Sequence, residues 1–378
     1  MVLVVTGRIS VSQPGKTKEA SPNRGRSGVS GDAATESVKR PSRAKLWFAE
    51  IRPPFLTASI VPVVLGATVA WAESHIFLWD FFLLSVIAGC CLHIAANVAN
   101  DYFDHLSGTD DMNVEFVRPF TGGSRMIQRG FLSPSEVLAE SMVFFMIGGL
   151  IGLYLAVTRG MIIIVLGLAG AASGFFYTAP PVRLVSRGVG ELFIGLNFGI
   201  LMTLGGYYVQ TQTLSLVPIV PSIPVALLIT AVLYINEFPD YRADEAAGKR
   251  TLVVRLGRRR AAKGYVVIMT AVYFSIVLPA MAGWMTLYSL IALSTLPLSA
   301  LAVRQALASY EKSFELVPAN ASTVLSHLLT GMFLTLGYVL DGFALPASWT
   351  LVVSIVLLVV TLMLSAKIHR QKAPPEEV

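Results

Sequence analysis

Two clusters of carboxylate and amide side chains carry the most specific chemistry in the sequence. Residues 97–105 read Asn-Val-Ala-Asn-Asp-Tyr-Phe-Asp-His, and residues 236–245 read Asn-Glu-Phe-Pro-Asp-Tyr-Arg-Ala-Asp-Glu. On a helix turning about 100° per residue, one amide and two carboxylates of each cluster share a face. These trios are Asn97, Asp101 and Asp104, and Asn236, Asp240 and Asp244. Such hard oxygen ligands suit Mg²⁺, which often shares its coordination with substrate phosphates.

Basic residues near the two clusters could bind the oxygens of such a phosphate group. Lys249 and Arg250 follow the second cluster directly, and Arg125 follows the first at a distance of some twenty residues. Guanidinium and ammonium groups form strong charge-assisted hydrogen bonds with phosphate. Metal and anion chemistry at a membrane surface indicates a lipid-tailed diphosphate as the substrate.

The elements that must position these clusters are membrane spans. The 378 residues are 54% hydrophobic and only 14% charged, which excludes both a typical soluble globule and a disordered chain. Apolar blocks of about 20 residues match the thickness of a bilayer core. We predict ten spans, at residues 55–72, 79–99, 137–157, 160–178, 190–209, 217–235, 264–283, 285–303, 322–341 and 348–366.

The basic residues determine the predicted orientation. All of the 29 Lys and Arg residues except Arg159 lie in the two tails or in the loops after even-numbered spans. The positive-inside rule therefore places both termini and both clusters in the cytoplasm. The formal net charge of +6 is thus a topology signal, and no basic-aromatic module indicates nucleic-acid binding. Residues 1–43 are predicted to be a disordered basic tail, 44–368 the membrane domain, and 369–378 a short cytoplasmic tail.

In their order and position, the two clusters resemble the Asp-rich motifs of the UbiA-type intramembrane aromatic prenyltransferases. Residues 97–104 match the first motif, and residues 236–244 with the following Ala-Gly-Lys-Arg-Thr stretch match the second. The resemblance runs from about residue 49 to residue 340. Further stretches are similar to the 1,4-dihydroxy-2-naphthoate polyprenyltransferases of menaquinone synthesis, at residues 51–54, 122–130, 176–183, 188–191 and 206–211. The run 236–239 departs from the form common in that branch, and the family core is usually drawn with nine helices rather than ten.

The resemblance implies an all-α bundle around a central cavity in a prokaryotic inner membrane, with the active site on the cytoplasmic side. It implies that the two trios hold Mg²⁺ against a polyprenyl diphosphate, whose oxygens Lys249, Arg250 and Arg125 bind. Tyr177 would stabilise the allyl cation through its π face, and Arg52 and Arg183 would orient the carboxylate of the aromatic acceptor. The implied products are a demethylmenaquinone-type quinol and diphosphate.

Two alternatives to this reaction remain open from the sequence. The acceptor could be 4-hydroxybenzoate, homogentisate, a glycerol-phosphate lipid or a tetrapyrrole, and a terpene cyclase would use the same metal chemistry. From another class, a secondary transporter could place carboxylates inside a membrane domain, although such sites usually lie near the bilayer midplane. The sequence does not determine the oligomeric state or the length of the prenyl chain.

Overall fold

The computed structural model describes residues 41–346 and 348–370, and every regular element within these ranges is a helix. The predicted tails 1–43 and 369–378 lie outside the described residues except for 41–43 and 369–370. The α-helices are α1 (Arg43–Glu50), α2 (Thr57–Ser74), α3 (Trp79–Ser107), α4 (Thr109–Met112), α5 (Pro134–Arg159), α6 (Ile162–Phe175), α7 (Gly190–Gly195), α8 (Met202–Thr211), α9 (Ile219–Ala246), α10 (Leu252–Leu256), α11 (Arg258–Met281), α12 (Leu296–Ser309), α13 (Val317–Gly342) and α14 (Ser348–Arg370).

In the described part of the chain, 9 helices or runs of consecutive helices are long and apolar enough to cross a membrane. They are Arg43–Ser74, Trp79–Ser107, Pro134–Arg159, Gly190–Thr211, Ile219–Ala246, Arg258–Met281, Leu287–Ser309, Ser313–Gly342 and Ser348–Arg370. Backbone polar groups have no water to bind in hydrocarbon, so helices satisfy them internally. The predicted all-α membrane bundle is confirmed.

The fourth predicted span, residues 160–178, forms the shorter helix α6. This helix has 14 residues, fewer than the roughly 20 that cross a bilayer. It ends at Phe175, shortly before Pro180 and Pro181, which cannot continue a helix. Residues 41–346 and 348–370 therefore contain ten apolar helical segments, of which nine have the length of a full span.

The most extensive buried apolar cluster is formed mainly by side chains of α2, α9, α11 and α13. Its largest fully buried side chains include Tyr234, Phe238 and Tyr265. Where α2 crosses α8, a Cβ at Gly66 would lie 2.0 Å from the Thr203 carbonyl oxygen, so only glycine permits this approach. By contrast, only 11% of the most apolar stretch of α14 is buried, as expected for a helix that faces lipid.

A π-helical segment interrupts the run from α7 to α8. It spans Leu196–Leu201, and Gly199 in this segment packs so closely on α9 that an added Cβ would lie 2.3 Å from the Ala226 Cβ. Such bulges often occur at functional sites because they redirect one side chain. Asn197 lies in this segment and lines the central cavity.

Candidate active site

The two sequence clusters lie on the last turns of α3 and α9 and line one cavity of about 710 Å³. Helix α3 ends at Ser107 and is followed by Gly108, whose φ of +75° suits a residue without a side chain. All six predicted ligands contribute to the cavity wall: Asn97, Asp101, Asp104, Asn236, Asp240 and Asp244. We call these six residues the acidic rim. Its two helices belong to different halves of the chain, so tertiary packing brings the motifs together.

Lys249 connects the two halves of the acidic rim. Its Nζ lies 2.9 Å from an Asp104 carboxylate oxygen and 3.8 Å from one of Asp244. Burial disfavours the charged ammonium, but the carboxylates of Asp104 and Asp244 outweigh it and hold the pKa of Lys249 well above its usual value. The site therefore carries a fixed positive charge between the two motifs.

A loop from α4 to α5 covers Asp101. The backbone N–H of Ser124 donates a 2.8 Å hydrogen bond to one oxygen of Asp101, and the Arg52 guanidinium lies 3.3 Å from the other. Gly123 has a φ of +63°, and a Cβ there would lie 2.7 Å from Asp101 Oδ1. The glycine is thus required both by the backbone conformation and by the approach of the carboxylate.

Helix α4 and the start of this loop bring two further polar residues into the cavity, which the sequence did not single out as site residues. Asn113 donates a 2.7 Å hydrogen bond to Asp240, so it connects the loop with the second motif. Asp110 is 5% exposed, and burial, followed by the charges of Asp101 and Asp104, raises its pKa to about 8. The acidic run after the first motif was the available signal for Asp110, whereas nothing in the sequence pattern pointed to Asn113.

The second motif also has partners that the sequence did not reveal. Asn320 on α13 donates a 2.6 Å hydrogen bond to the Asn236 side-chain oxygen and fixes the orientation of that amide. Glu237 lines the cavity, is 5% exposed, and neither of its carboxylate oxygens has a hydrogen-bond partner among the described residues. Asn320 and Asn236 are 84 positions apart in the sequence and lie on different helices. Residue spacing within the motif therefore could not predict their contact.

The other predicted basic and aromatic residues divide into two groups. Arg52 and Tyr177 line the cavity, and burial, followed by the charge of Glu237, raises the pKa of the Tyr177 hydroxyl well above its usual value. Arg125 is not part of the cavity lining. Its guanidinium donates to the backbone oxygen of Asp110 at 2.6 Å and lies 4.5 Å from the Phe116 ring centroid, so it holds the loop in place.

The predicted residues Arg183 and Arg250 are exposed and lie outside the cavity lining. Arg183 follows the two prolines after α6 and precedes the 3₁₀-helix Leu184–Arg187 with a φ of 48°. Arg250 comes two residues after Gly248, where the chain has already left α9, and only its neighbour Lys249 turns into the cavity. The structure therefore brings Arg52 and Lys249 to the site but not these two guanidinium groups.

The side of the cavity formed by α5, α6 and α8 is rich in glycine. Gly149, Gly152, Gly167 and Gly170 line the cavity, and a Cβ added at any of them would meet no atom within 4 Å. The wall between these glycines is apolar, with Ile163, Ile164, Leu166 and Leu168 from α6. The cavity therefore has an acidic entrance and an apolar interior with open space at the glycines.

The acidic rim fits a hydrated ion that a substrate also binds, rather than an ion enclosed by protein alone. Among residues 41–346 and 348–370, no three His, Cys, Asp or Glu side chains converge closely enough to hold a metal. Mg²⁺ is usually bound by one or two carboxylates, its waters and substrate phosphates. Four carboxylates and two amides on facing helix ends supply the required oxygen donors.

A second charged junction lies outside the cavity and connects the loop after α4 with three helical segments. Glu115 accepts hydrogen bonds from Ser313 at 2.8 Å and from Arg258 at 3.3 Å, and it lies 2.8 Å from Arg242. Partial burial would raise the pKa of Glu115, but the hydrogen bonds from Ser313 and Arg258 and the charges of the two arginines lower it. This junction holds the loop that carries Asn113 against α9, α11 and the start of the Ser313–Gly342 run.

A membrane bundle with two Asp-rich helix ends over a deep apolar cavity defines the class of this protein, an intramembrane prenyltransferase. Residues 59–315 match the model of the UbiA prenyltransferase family, and the chain belongs to that family.

Relatives and solved structures agree with this assignment. The chain is 29% identical over 303 residues to a 2-carboxy-1,4-naphthoquinone phytyltransferase of Synechocystis, covering 79% of this chain and 94% of the relative. It is 26% identical over 314 residues to a 1,4-dihydroxy-2-naphthoate octaprenyltransferase of Bacillus subtilis, covering 83% and 98%. The fold is similar, with a TM-score of 0.52 and 14% identity over 79% of this chain and 98% of the other, to a UbiA homolog from Archaeoglobus fulgidus bound to DMAPP and Mg²⁺.

Proposed function

We propose that this protein transfers a polyprenyl group from polyprenyl diphosphate to 1,4-dihydroxy-2-naphthoate, giving a demethylmenaquinone-type product and diphosphate. The observation that carries the proposal is the single cavity that joins the acidic rim to a glycine-lined apolar interior. A diphosphate head fits the first part and an isoprenoid tail the second. The names of the Synechocystis and Bacillus subtilis relatives share a carboxylated naphthalene ring with oxygen at positions 1 and 4, which supports this acceptor.

We further propose Mg²⁺ as the cofactor, held by the aspartates of the acidic rim together with Asn97 and Asn236. The Archaeoglobus fulgidus homolog, which is bound to DMAPP and Mg²⁺, supports this choice. When bound, the ion stabilises the negative charge that develops on the leaving diphosphate.

The protein's own side chains act on both partners of the reaction. Lys249 is positioned to donate to diphosphate oxygens, because its ammonium lies at the rim between the two motifs. Tyr177 offers its ring to the allyl cation, and the apolar interior excludes the water that would otherwise capture this cation. The acceptor ring then attacks C1 of the prenyl group as the bond from C1 to the diphosphate oxygen breaks. The ring regains aromaticity by releasing carbon dioxide, which accounts for the carboxylate that a demethylmenaquinone-type product lacks.

Acceptor binding requires a cation inside the cavity. Arg52 meets this requirement, since it lines the cavity next to Asp101, and a planar guanidinium binds a carboxylate in bidentate fashion. Arg183 is exposed, so we assign the acceptor carboxylate to Arg52. Arg125 and Arg250 lie outside the cavity lining, and a role in diphosphate binding would require their side chains to move.

The orientation is also a proposal. Since the basic residues lie beside the loops of the acidic rim, the rim faces the cytoplasm of a prokaryotic inner membrane. The transporter alternative is not supported, because both motifs lie at one end of the bundle and the family consists of prenyltransferases.

The proposal is tested with purified protein in proteoliposomes containing radiolabelled polyprenyl diphosphate and Mg²⁺. Addition of 1,4-dihydroxy-2-naphthoate should release diphosphate and yield a labelled quinol. Diphosphate release with only 4-hydroxybenzoate or homogentisate would change the proposed acceptor and leave the proposed reaction type in place. No diphosphate release with any hydroxyaryl acid would refute the proposed function.

A further inference from the structure

Four polar side chains project into the cavity from membrane-spanning or apolar helices outside the two motifs: Ser85, His93, Ser173 and Asn197. Three of them have internal partners. Ser85 donates to the backbone oxygen of Phe81 at 2.8 Å, and Asn197 donates to Ser173 at 2.8 Å. His93 is different, because only its Nδ1 is bonded, to the Ser59 hydroxyl at 2.7 Å. Its Nε2 has no hydrogen-bond partner among residues 41–346 and 348–370.

His93 lines the cavity below the acidic rim. His93 precedes Asn97 by four residues on α3, which is one helical turn, about 6 Å deeper in the cavity, and about 40° away around the helix. The diphosphate is proposed to bind at Asp101 and Asp104, further along the same face. His93 lies two turns, about 12 Å, below Asp101 on this helix, which is the depth where the first carbons of the prenyl chain, beyond the diphosphate, and the attacking ring must meet.

The imidazole is held in a fixed orientation. Its ring packs edge-on against Phe198 with 4.6 Å between centroids, and the side chain is 6% exposed. Ser59 is 1% exposed, so bulk water cannot replace His93 as the hydrogen-bond partner of its hydroxyl. A histidine held through one ring nitrogen presents the other in a defined direction.

We propose that His93 binds a ring hydroxyl of the aromatic acceptor through Nε2, with Ser59 as the positioning residue for the imidazole. This inference rests on the proposed function and adds a specificity-determining residue to it. Arg52 binds the carboxylate beside Asp101, and His93 binds the hydroxyl deeper in the cavity, so two polar contacts fix the ring. An acceptor without that hydroxyl leaves a buried imidazole nitrogen unpaired, which is an effective way to reject it.

The test compares acceptors in proteoliposomes that contain Mg²⁺ and geranylgeranyl diphosphate. The acceptors are 1,4-dihydroxy-2-naphthoate and its two monomethyl ethers. Wild-type protein should prefer the dihydroxy compound over one of the ethers. His93→Leu should raise the KM for the dihydroxy compound about tenfold, the effect of losing one buried hydrogen bond, and should abolish the preference, while the KM for the diphosphate stays unchanged. His93→Gln, which can still form a hydrogen bond, should recover part of the preference.

His327→Leu is the matched control. His327 is also a buried histidine on a spanning helix, 2% exposed, but it does not line the cavity. The substitution His327→Leu should leave both KM values and the acceptor preference at the wild-type level. An unchanged acceptor preference in His93→Leu, or an equal rise of both KM values, would overturn the inference, because a structural role would affect both substrates.

Two further measurements keep the inference testable. If His93→Leu does not fold, Ser59→Ala should raise the acceptor KM alone, and an unchanged value would overturn the inference. If wild-type protein prenylates none of these compounds, the proposed function has failed. Quenching of tryptophan fluorescence by 1,4-dihydroxy-2-naphthoate then tests the site directly: weaker binding to His93→Leu than to His327→Leu supports the inference, and equal binding overturns it.

Discussion

Replacing Lys249 with methionine should lower the stability of the metal-free protein. In the presence of Mg²⁺ the same substitution should lower the stability far less. The ammonium attracts Asp104 across 2.9 Å and Asp244 across 3.8 Å, which amounts to about 6 and about 4 kcal/mol at an effective dielectric constant of about 20. Desolvation of the three buried charges offsets most of this attraction. Removing only the cation leaves two carboxylates uncompensated, and breaking such a pair typically costs about 3–5 kcal/mol.

The assay is unfolding in detergent, followed by circular dichroism in excess EDTA or in Mg²⁺ with inorganic diphosphate. In EDTA, Lys249→Met should unfold at a clearly lower temperature than wild type. Mg²⁺ with diphosphate should raise its midpoint by more than that of wild type, because the ion supplies the missing positive charge. Lys263→Met is the matched control, since Lys263 is exposed on α11 and has no part in the cavity.

Equal midpoints of Lys249→Met and wild type in EDTA would refute this reasoning, because the carboxylates would then not depend on Lys249 for charge compensation. A large loss of stability that Mg²⁺ does not reduce would also contradict it. In that case the lysine would act through packing of its aliphatic stem rather than through charge.

Three other perturbations have defined outcomes. Asp101→Asn and Asp240→Asn should each lower turnover at least about a hundredfold with an unchanged unfolding midpoint, measured as diphosphate release; substantial remaining activity would exclude these carboxylates as ligands. Gly152→Leu should fill open space in the cavity and favour geranylgeranyl over octaprenyl diphosphate in a competition assay, whereas an unchanged ratio would show that the tail does not pass this wall. Glu115→Gln should weaken folding at pH 7 by about 1–3 kcal/mol by removing charge-assisted hydrogen bonds. The folded-state pKa of Glu115 is lowered. The stabilisation is therefore present above the carboxyl's unfolded pKa and disappears as the pH falls through its folded pKa. Chemical denaturation at pH 7 and pH 3 checks this prediction, and an equal effect of the substitution at both pH values would contradict it.

The parts of the fold that follow from local chemistry could be predicted from the sequence. Hydrophobic blocks of bilayer length gave the spans, and the 3.6-residue period placed Asp101 and Asp104 on one stripe of α3. The short length of α6 and the π-helical segment Leu196–Leu201 are harder to predict. Both depend on neighbouring helices, which provide partners for the backbone groups that an irregular helix leaves free.

Which basic residues reach the site could not be predicted in the same way. Lys249 and Arg250 are adjacent in the sequence, yet only Lys249 lines the cavity. Arg125 looked like a phosphate ligand, but its donors bind the backbone oxygen of Asp110. The direction of a loop side chain is set by the packing of the whole loop, and spacing along the chain carries no information about it.

His93 illustrates a different limit. Its position four residues before Asn97 was visible in the sequence, and the helical period alone places it on the stripe of the first motif. A buried histidine gains significance only when its surroundings are known, here Ser59 on one nitrogen and a side chain that lines the cavity.

The charges of the acidic rim suggest how one site can remain folded both with and without its metal. Without the ion, Lys249 and Arg52 compensate Asp104 and Asp101 directly. An ion held by these carboxylates would balance their charge in place of the two basic side chains. Lys249 would then be available for the diphosphate, and Arg52 for the carboxylate of the acceptor. Both substrates would thus find their cationic partners only after the metal has bound, which predicts that acceptor affinity rises with Mg²⁺ even in the absence of a prenyl donor. Fluorescence titration of the acceptor with and without Mg²⁺ measures this coupling, and equal affinities would show that Arg52 binds the acceptor without leaving Asp101.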